Sequence, residues 1–218
     1  MSMDTKDTNG HWVTRRTGIV PSAPPSTRFS KRTVLDEAGR PTTPEPAAEV
    51  TFTAHGILVG RHLVEVHDHY RGELRELHGL LERVAQGVIT AGQARGELNE
   101  FALRANNWAF GGLCQRQCVA FVEHHLSESG SVFPYLGRRQ RSLQGVLDRL
   151  EAEHHVIGEV LEGVDAALVH LARNPTELDP ITEAVDLLTD TMLSHFAYEE
   201  RELIAPLAQY GFFPGQLS

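Results

Sequence analysis

From Thr53 onward, apolar residues recur at spacings of three and four, the period of a helix with one face turned to a core. The first run, Leu63, Tyr70, Leu74, Leu77, Leu81, Val84 and Val88, predicts a helix over about 55–88, closed by Gly87 and Thr90. Thr90 and Gln93 then have the spacing of a capping box and open a second helical stretch. That stretch extends from about Ala91 to Ser129, with candidate kinks at Asn106-Asn107 and Gly111-Gly112. Ser129, Gly130, Ser131 and Pro134 predict its end. The series Leu143, Leu147, Leu150, Ile157, Leu161, Val164 and Leu168 predicts a third helix over about 140–173, stopped by Asn174-Pro175. Asp179-Pro180 opens a fourth, an N-cap followed by proline at the first helical position. Its stripe is Ile181, Val185, Leu188 and Met192, and it runs to about Ile204, with Pro206 as a break. No alternating strand pattern and no internal repeat is present. Four long helices with short connections predict an all-α fold, an antiparallel up-and-down four-helix bundle over 51–218.

The first fifty residues follow another rule. Pro21, Pro24, Pro25, Pro41, Pro44 and Pro46 stand among serines and threonines without apolar periodicity. That composition predicts a poorly ordered N-terminal tail over 1–50, with scope for a local segment docked on the body.

Length and composition narrow the function. The 218 residues suit one domain with an appendage, and 41% hydrophobic residues suffice for one ordinary core. A net charge of −9 without a basic stripe argues against a nucleic-acid partner. No apolar run reaches the ~18 residues of a membrane span, and no apolar segment follows Arg15-Arg16, so neither a membrane nor an export route is expected. Cys114 and Cys118 lie one helical turn apart, a poor disulfide geometry. They read as free thiols, small core residues in a reducing cytoplasm.

The candidate chemistry lies in the twelve histidines. His67 occupies the first helix's apolar series and His154 the third's, while His62, His69, His78 and His155 fall off those series and are expected to face solvent. In the fourth helix His195 and Glu199 both stand where core residues belong; in the second, His124 and Glu128 follow Phe121. The four-residue spacing of each His–Glu pair puts both side chains on one helix face. A buried carboxylate without a partner is costly, and metal ions would supply the compensation. Imidazole with carboxylate suits iron, manganese or zinc. Two glutamates from two helices can bridge a pair of cations while four histidines cap the outer positions. This predicts His67, His124, Glu128, His154, His195 and Glu199 as ligands, with open positions for dioxygen, nitric oxide, peroxide or water. His125, Glu151 and Glu200 are candidates to add to the site or to support it.

Four blocks carry a resemblance: VHDHYRGELREL around His67, FVEHHLSESGSVFPYL around His124, LEAEHHVIGEVL around His154 and LSHFAYEERELIAPL around His195. In order and spacing they resemble the hemerythrin-like, HHE cation-binding domain, over about 55–211. The resemblance implies a non-haem di-iron site on the six residues above. Two departures bear on function. Oxygen-carrying members place a second histidine one turn after the third-helix histidine, where this chain has Gly158. Their fourth-helix carboxylate is an aspartate five residues on, whereas Glu199 is four on. The missing histidine leaves one iron more open and favours reactivity over reversible oxygen storage. A ferritin-like site is disfavoured, because Glu151-His154 is the one Glu-x-x-His pair that fits. The resemblance implies a protein that binds or senses dioxygen, nitric oxide, peroxide or iron. The alternatives are a di-iron enzyme decomposing peroxide, in which Cys114 and Cys118 could supply electrons, and a metal-free module whose histidines form a buried polar network.

Overall fold

The structure is a computed structural model that describes residues 11–90, Gln93 and residues 123–217. Among the described residues the regular structure is helical, without a strand. They form α1 (Trp12–Thr17), α2 (Ala54–Ala85), α3 (Phe133–Arg139), α4 (Gln144–Arg173) and α5 (Asp179–Tyr210). Residues 123–127 are helical and lead into α3 through a π-helical turn, Glu128–Val132; a 3₁₀ turn, Arg141–Leu143, leads into α4. No helix among the described residues is long and apolar enough to cross a membrane.

The helix α5 is the axis of the molecule, buried at almost every position from Leu187 to Ala208. Both α2 and α4 pack along it, and both run antiparallel to it. Along α2, Gly60 meets Ile204, His67 meets Glu200, and His78 meets Asp186, the numbers rising on one helix as they fall on the other. A Cβ on Gly60 would stand 2.7 Å from the Ile204 carbonyl oxygen, so glycine there lets two backbones approach. Two apolar clusters fill the bundle. One gathers Leu63, Leu136, Leu143, Leu150, Leu203 and Leu207; the other gathers Leu74, Ile157, Val164, Val185 and Met192. His67, His154, His195 and Glu199 lie in sequence between the residues of the first and those of the second, so a polar layer separates the two cores.

Several boundaries differ from the sequence expectation, each for a local reason. The first helix stops at Ala85 because Gly87 turns the chain at φ +69, and Val88 is left exposed. Leu80 is buried where the stripe predicted Leu81, which is half-buried. The second helix does not end at Ser129. The π-turn absorbs Ser129-Gly130-Ser131, with the Phe133 N–H reaching back to the Glu128 carbonyl, and Pro134 then sits in the first turn of α3, where no N–H is required. The fourth helix does not break at Pro206 but continues to Tyr210. Proline leaves the Glu202 carbonyl without its helical donor, and the Thr43 hydroxyl donates to that carbonyl instead, at 3.0 Å. Leu178, rather than Asp179, holds the N-cap of α5, with Asp179 in its first turn. The capping box is present: Gln93 N–H donates to Thr90 Oγ1 at 3.1 Å and Thr90 N–H to Gln93 Oε1 at 2.8 Å. The candidate kinks, Phe121, Cys114 and Cys118 lie outside the described residues.

Residues 18–53 have no regular secondary structure, as their prolines predict, yet they are tied down along most of their length. The segment climbs α5 from Ser22, bonded to Glu200, to Phe29 and Ser30, whose amides donate to Asp190. It then returns past Ser194, bonded to Glu37, and Tyr198, bonded to the Pro41 carbonyl, to Glu202, bonded to Thr43. Arg16 closes the loop by donating to the carbonyls of Pro46, Ala47 and Val50. This strap covers the face of α5 that α2 and α4 leave open, which explains why that helix is buried nearly all round.

Candidate metal centre

The polar layer contains two groups of potential donors. His67, His124, Glu128 and Glu199 form one, and His125, His154 and His195 the other; within each group one ligand atom per residue lies within 4.8 Å of the rest. The six sequence-derived residues are therefore brought together, and His125 joins them as a seventh. The π-turn begins at Glu128, directly after the helical residues 123–127 that carry His124 and His125.

The two carboxylates link the groups. Glu128 places Oε1 3.3 Å from His124 Nε2 and Oε2 3.8 Å from His154 Nε2. Glu199 Oε2 lies 3.4 Å from His67 Nε2 and 3.7 Å from His195 Nε2. Each glutamate thus touches a histidine of both groups. Meanwhile His67 and His124 point Nε2 at Nε2, 3.3 Å apart, and the His125 and His154 rings stack at 4.2 Å.

The outer nitrogens are engaged in a way that leaves the inner ones available. His67 Nδ1 lies 2.9 Å from Glu200 Oε1, His195 Nδ1 3.1 Å from Glu153 Oε2, and His154 Nδ1 2.9 Å from Ser129 Oγ. A carboxylate at Nδ1 accepts a hydrogen bond from the Nδ1–H and so leaves the Nε2 lone pair facing inward, the arrangement that metal-ligating histidines use. Among the described residues, six buried atoms of the layer have no hydrogen-bond partner: Nε2 of His125, His154 and His195, Oε2 of Glu128, and both oxygens of Glu199. Buried polar atoms are rarely left so.

Electrostatics agree with a site made for cations. Burial holds His124 neutral, its pKa pushed down to about 3, aided by the neighbouring His67; burial and His195 push His154 down to about 2. Burial and four neighbouring imidazoles, His154 first among them, push His125 well down too. Burial and then the charge of Glu199 raise Glu128, so the pair resists carrying two negative charges unaided. Burial also opposes the charge on Glu199, but His67, 3.4 Å away, and the surrounding imidazoles bring it down to about 2. His67 goes the other way: burial opposes its charge, but Glu199 and Glu200 raise its pKa. Three imidazoles held without protons, beside two carboxylates that repel, suit a cation.

Of the other candidates, Glu200 backs His67 and is itself held by Arg71 at 2.7 Å and by the Ser22 amide at 2.8 Å. Glu151 is not at the centre; it is half-exposed and 3.9 Å from the exposed His155. His62 and His69 are exposed as expected, but His78 is not: it bonds Thr189 Oγ1 at 2.8 Å and stacks on Phe29 of the strap. The sequence reading missed Glu153 and Arg40. Glu153 sits beside a stripe position and carried a signal of sorts, as an acidic neighbour of a core histidine. Arg40, 113 residues from Glu153, carried none.

The chain matches the family model described as Hemerythrin HHE cation binding domain over residues 58–208, which contain all seven donors. No curated protein and no solved structure is significantly similar to it.

Proposed function

The chain belongs to the hemerythrin HHE cation-binding family, and we propose that it holds two iron ions in the polar layer and binds or senses a small ligand there: dioxygen, nitric oxide or peroxide. The observation that carries the reading is the double contact of Glu128 and Glu199, each reaching a histidine of both donor groups. A carboxylate shared in this way is the means by which two cations sit close without being driven apart. Manganese or zinc would suit the same donors less specifically.

The residues divide the work. His67 and His124 would hold one ion, His125, His154 and His195 the other, with Glu128 and Glu199 across both. His125 takes the part that Gly158 cannot, so the second ion is better enclosed than the sequence suggested, and binding gains over uncontrolled reactivity. Five imidazoles and two bridging carboxylates fill about nine of the roughly twelve positions of two octahedral ions, leaving room for a small ligand. When bound, iron supplies those positions and a redox couple. The protein keeps the surroundings dry, with Phe196 stacked on His67 at 4.2 Å and Phe133 stacked on His154 at 5.3 Å.

A second reading, peroxide decomposition, rests on Tyr70. Its ring lies 5.3 Å from His124, and burial, with the charges of Glu73, Glu128 and Glu123, keeps its phenol protonated with a pKa of about 12. A phenolic proton beside the site suits turnover of a protic oxidant. Metal content and an optical spectrum before and after peroxide, dioxygen and nitric oxide separate the two. Two irons per chain with a stable, reversible change support binding or sensing; sustained gas release from peroxide supports the enzyme; a chain that takes up no metal refutes both. His125→Ala should lose at least one iron while His69→Ala keeps both, and equal retention would remove His125 from the ligand set.

A further inference from the structure

We infer that the N-terminal strap is part of the metal centre's support, with Arg40 as the positioning residue that sets His195 through Glu153. The inference rests on the reading of His195 as a ligand. Arg40 donates from Nε to Glu153 Oε1 at 2.8 Å and from Nη2 to Glu153 Oε2 at 2.9 Å, a two-point fork. The same Oε2 accepts from His195 Nδ1 at 3.1 Å. Arg40 also donates from Nη1 to Ser194 Oγ at 3.0 Å and lies over the Tyr198 ring at 4.6 Å, so its plane is fixed on two further sides. The pair is enclosed, the side chains being 8% and 3% exposed.

The geometry fits positioning better than stapling. A fork constrains both the place and the rotation of a carboxylate, which a single charge does not. Glu153 so held fixes the tautomer and the ring orientation of His195. The outbound limb repeats the device on the other group, where the Ser22 amide donates to Glu200, which backs His67. One histidine of each group thus leans on a carboxylate that the strap holds, although α2 also holds Glu200 through Arg71. Among the described residues Glu153 has no such second cation, so Arg40 is where the strap matters most.

The test uses the full chain loaded with ferrous iron and then oxidised in air, and reads iron per chain, the rate of iron release to a chelator, and the near-ultraviolet charge-transfer bands of the ferric site. Removing outer support of a ligand histidine commonly weakens metal binding by about 10–100-fold. Arg40→Ala should therefore release one of two irons about 10–100-fold faster and shift the bands. Arg40→Lys, which restores the charge without the fork, should fall between. Glu153→Gln, with the strap still able to dock, should reproduce the Arg40→Ala spectrum. Asp190→Ala, which frees the strap's far turn without touching the histidines, should lower the melting temperature and leave iron release unchanged. Equal effects of Arg40→Ala and Asp190→Ala on iron release would reduce Arg40 to a staple and overturn the inference. So would wild-type release and spectrum in Arg40→Ala. A wild-type chain that takes up no metal would instead overturn the metal reading beneath it.

Discussion

Glu128 stands in the position where metal binding and self-sufficient folding ask for different side chains. Its two oxygens face His124 and His154, and its carboxylate is close enough to Glu199 for each to feel the other's charge. A glutamine has almost the same shape, removes the repulsion, and offers an amide N–H₂ to imidazole nitrogens that lack a donor. For a chain whose histidines only hydrogen-bond one another, Glu128→Gln should be harmless or helpful. For a chain that bridges two cations it removes a shared anionic ligand. We expect Glu128→Gln to fold with a metal-free melting temperature no lower than wild type, yet to keep one iron per chain or none. Glu151→Gln, by contrast, should keep two, because that carboxylate lies toward solvent beside His155. Metal analysis beside calorimetry checks both; full iron content in Glu128→Gln would remove the bridging role.

At the scale of the element, the instructive case is a helix that passes through a proline. The continuation of α5 beyond Ile204 depends on a hydroxyl from the strap, Thr43 Oγ1, reaching the Glu202 carbonyl that Pro206 leaves open. Thr43→Val should cost about 1–2 kcal/mol, the penalty of a buried acceptor left unpaired, or a fall of about 2–8 °C in melting temperature for a chain of this size. In a Pro206→Ala background the helix's own N–H can return to Glu202, so Thr43→Val should then cost about 1 kcal/mol less. A double-mutant cycle with no coupling would show that the hydroxyl is incidental. The same contact marks the limit of what the chain pattern discloses. Helix existence and the inward face of three histidines were legible, because Leu63, Leu150 and Met192 keep a 3.6-residue period that places His67, His154 and His195 inward; the place of His78 was not, because Phe29 of the strap covers it. The proline stop was not, since its cure comes from residue 43. Nor was the passage of the second helix through Ser129-Gly130-Ser131, because a π-turn tolerates residues that would end an α-helix. His125 stayed ambiguous for that reason: adjacent residues on a regular helix point apart, and a widened turn follows these two.

At the scale of the whole molecule, the polar layer is a discontinuity in the core. Leucines and valines pack on either side of it, in two clusters that the layer keeps apart, and six of its buried atoms find no hydrogen-bond partner among the described residues. A domain is stable by only some 5–15 kcal/mol, and unpaired buried polar atoms weigh heavily against such a margin. Bound cations would satisfy these atoms at a stroke, and since the layer exists in the folded state alone, metal affinity adds directly to folding stability. With free metal at about 100 times the dissociation constant, the gain is about 2.7 kcal/mol, equivalent to about 5–11 °C in melting temperature. Iron loading should raise the melting temperature of wild type by at least that amount and of Glu128→Gln by much less, as calorimetry on the two proteins with and without iron would read. Identical melting of the metal-free and metal-loaded wild-type chain would mean that the histidines and glutamates satisfy one another, and the layer would then be a structural network rather than a metal centre.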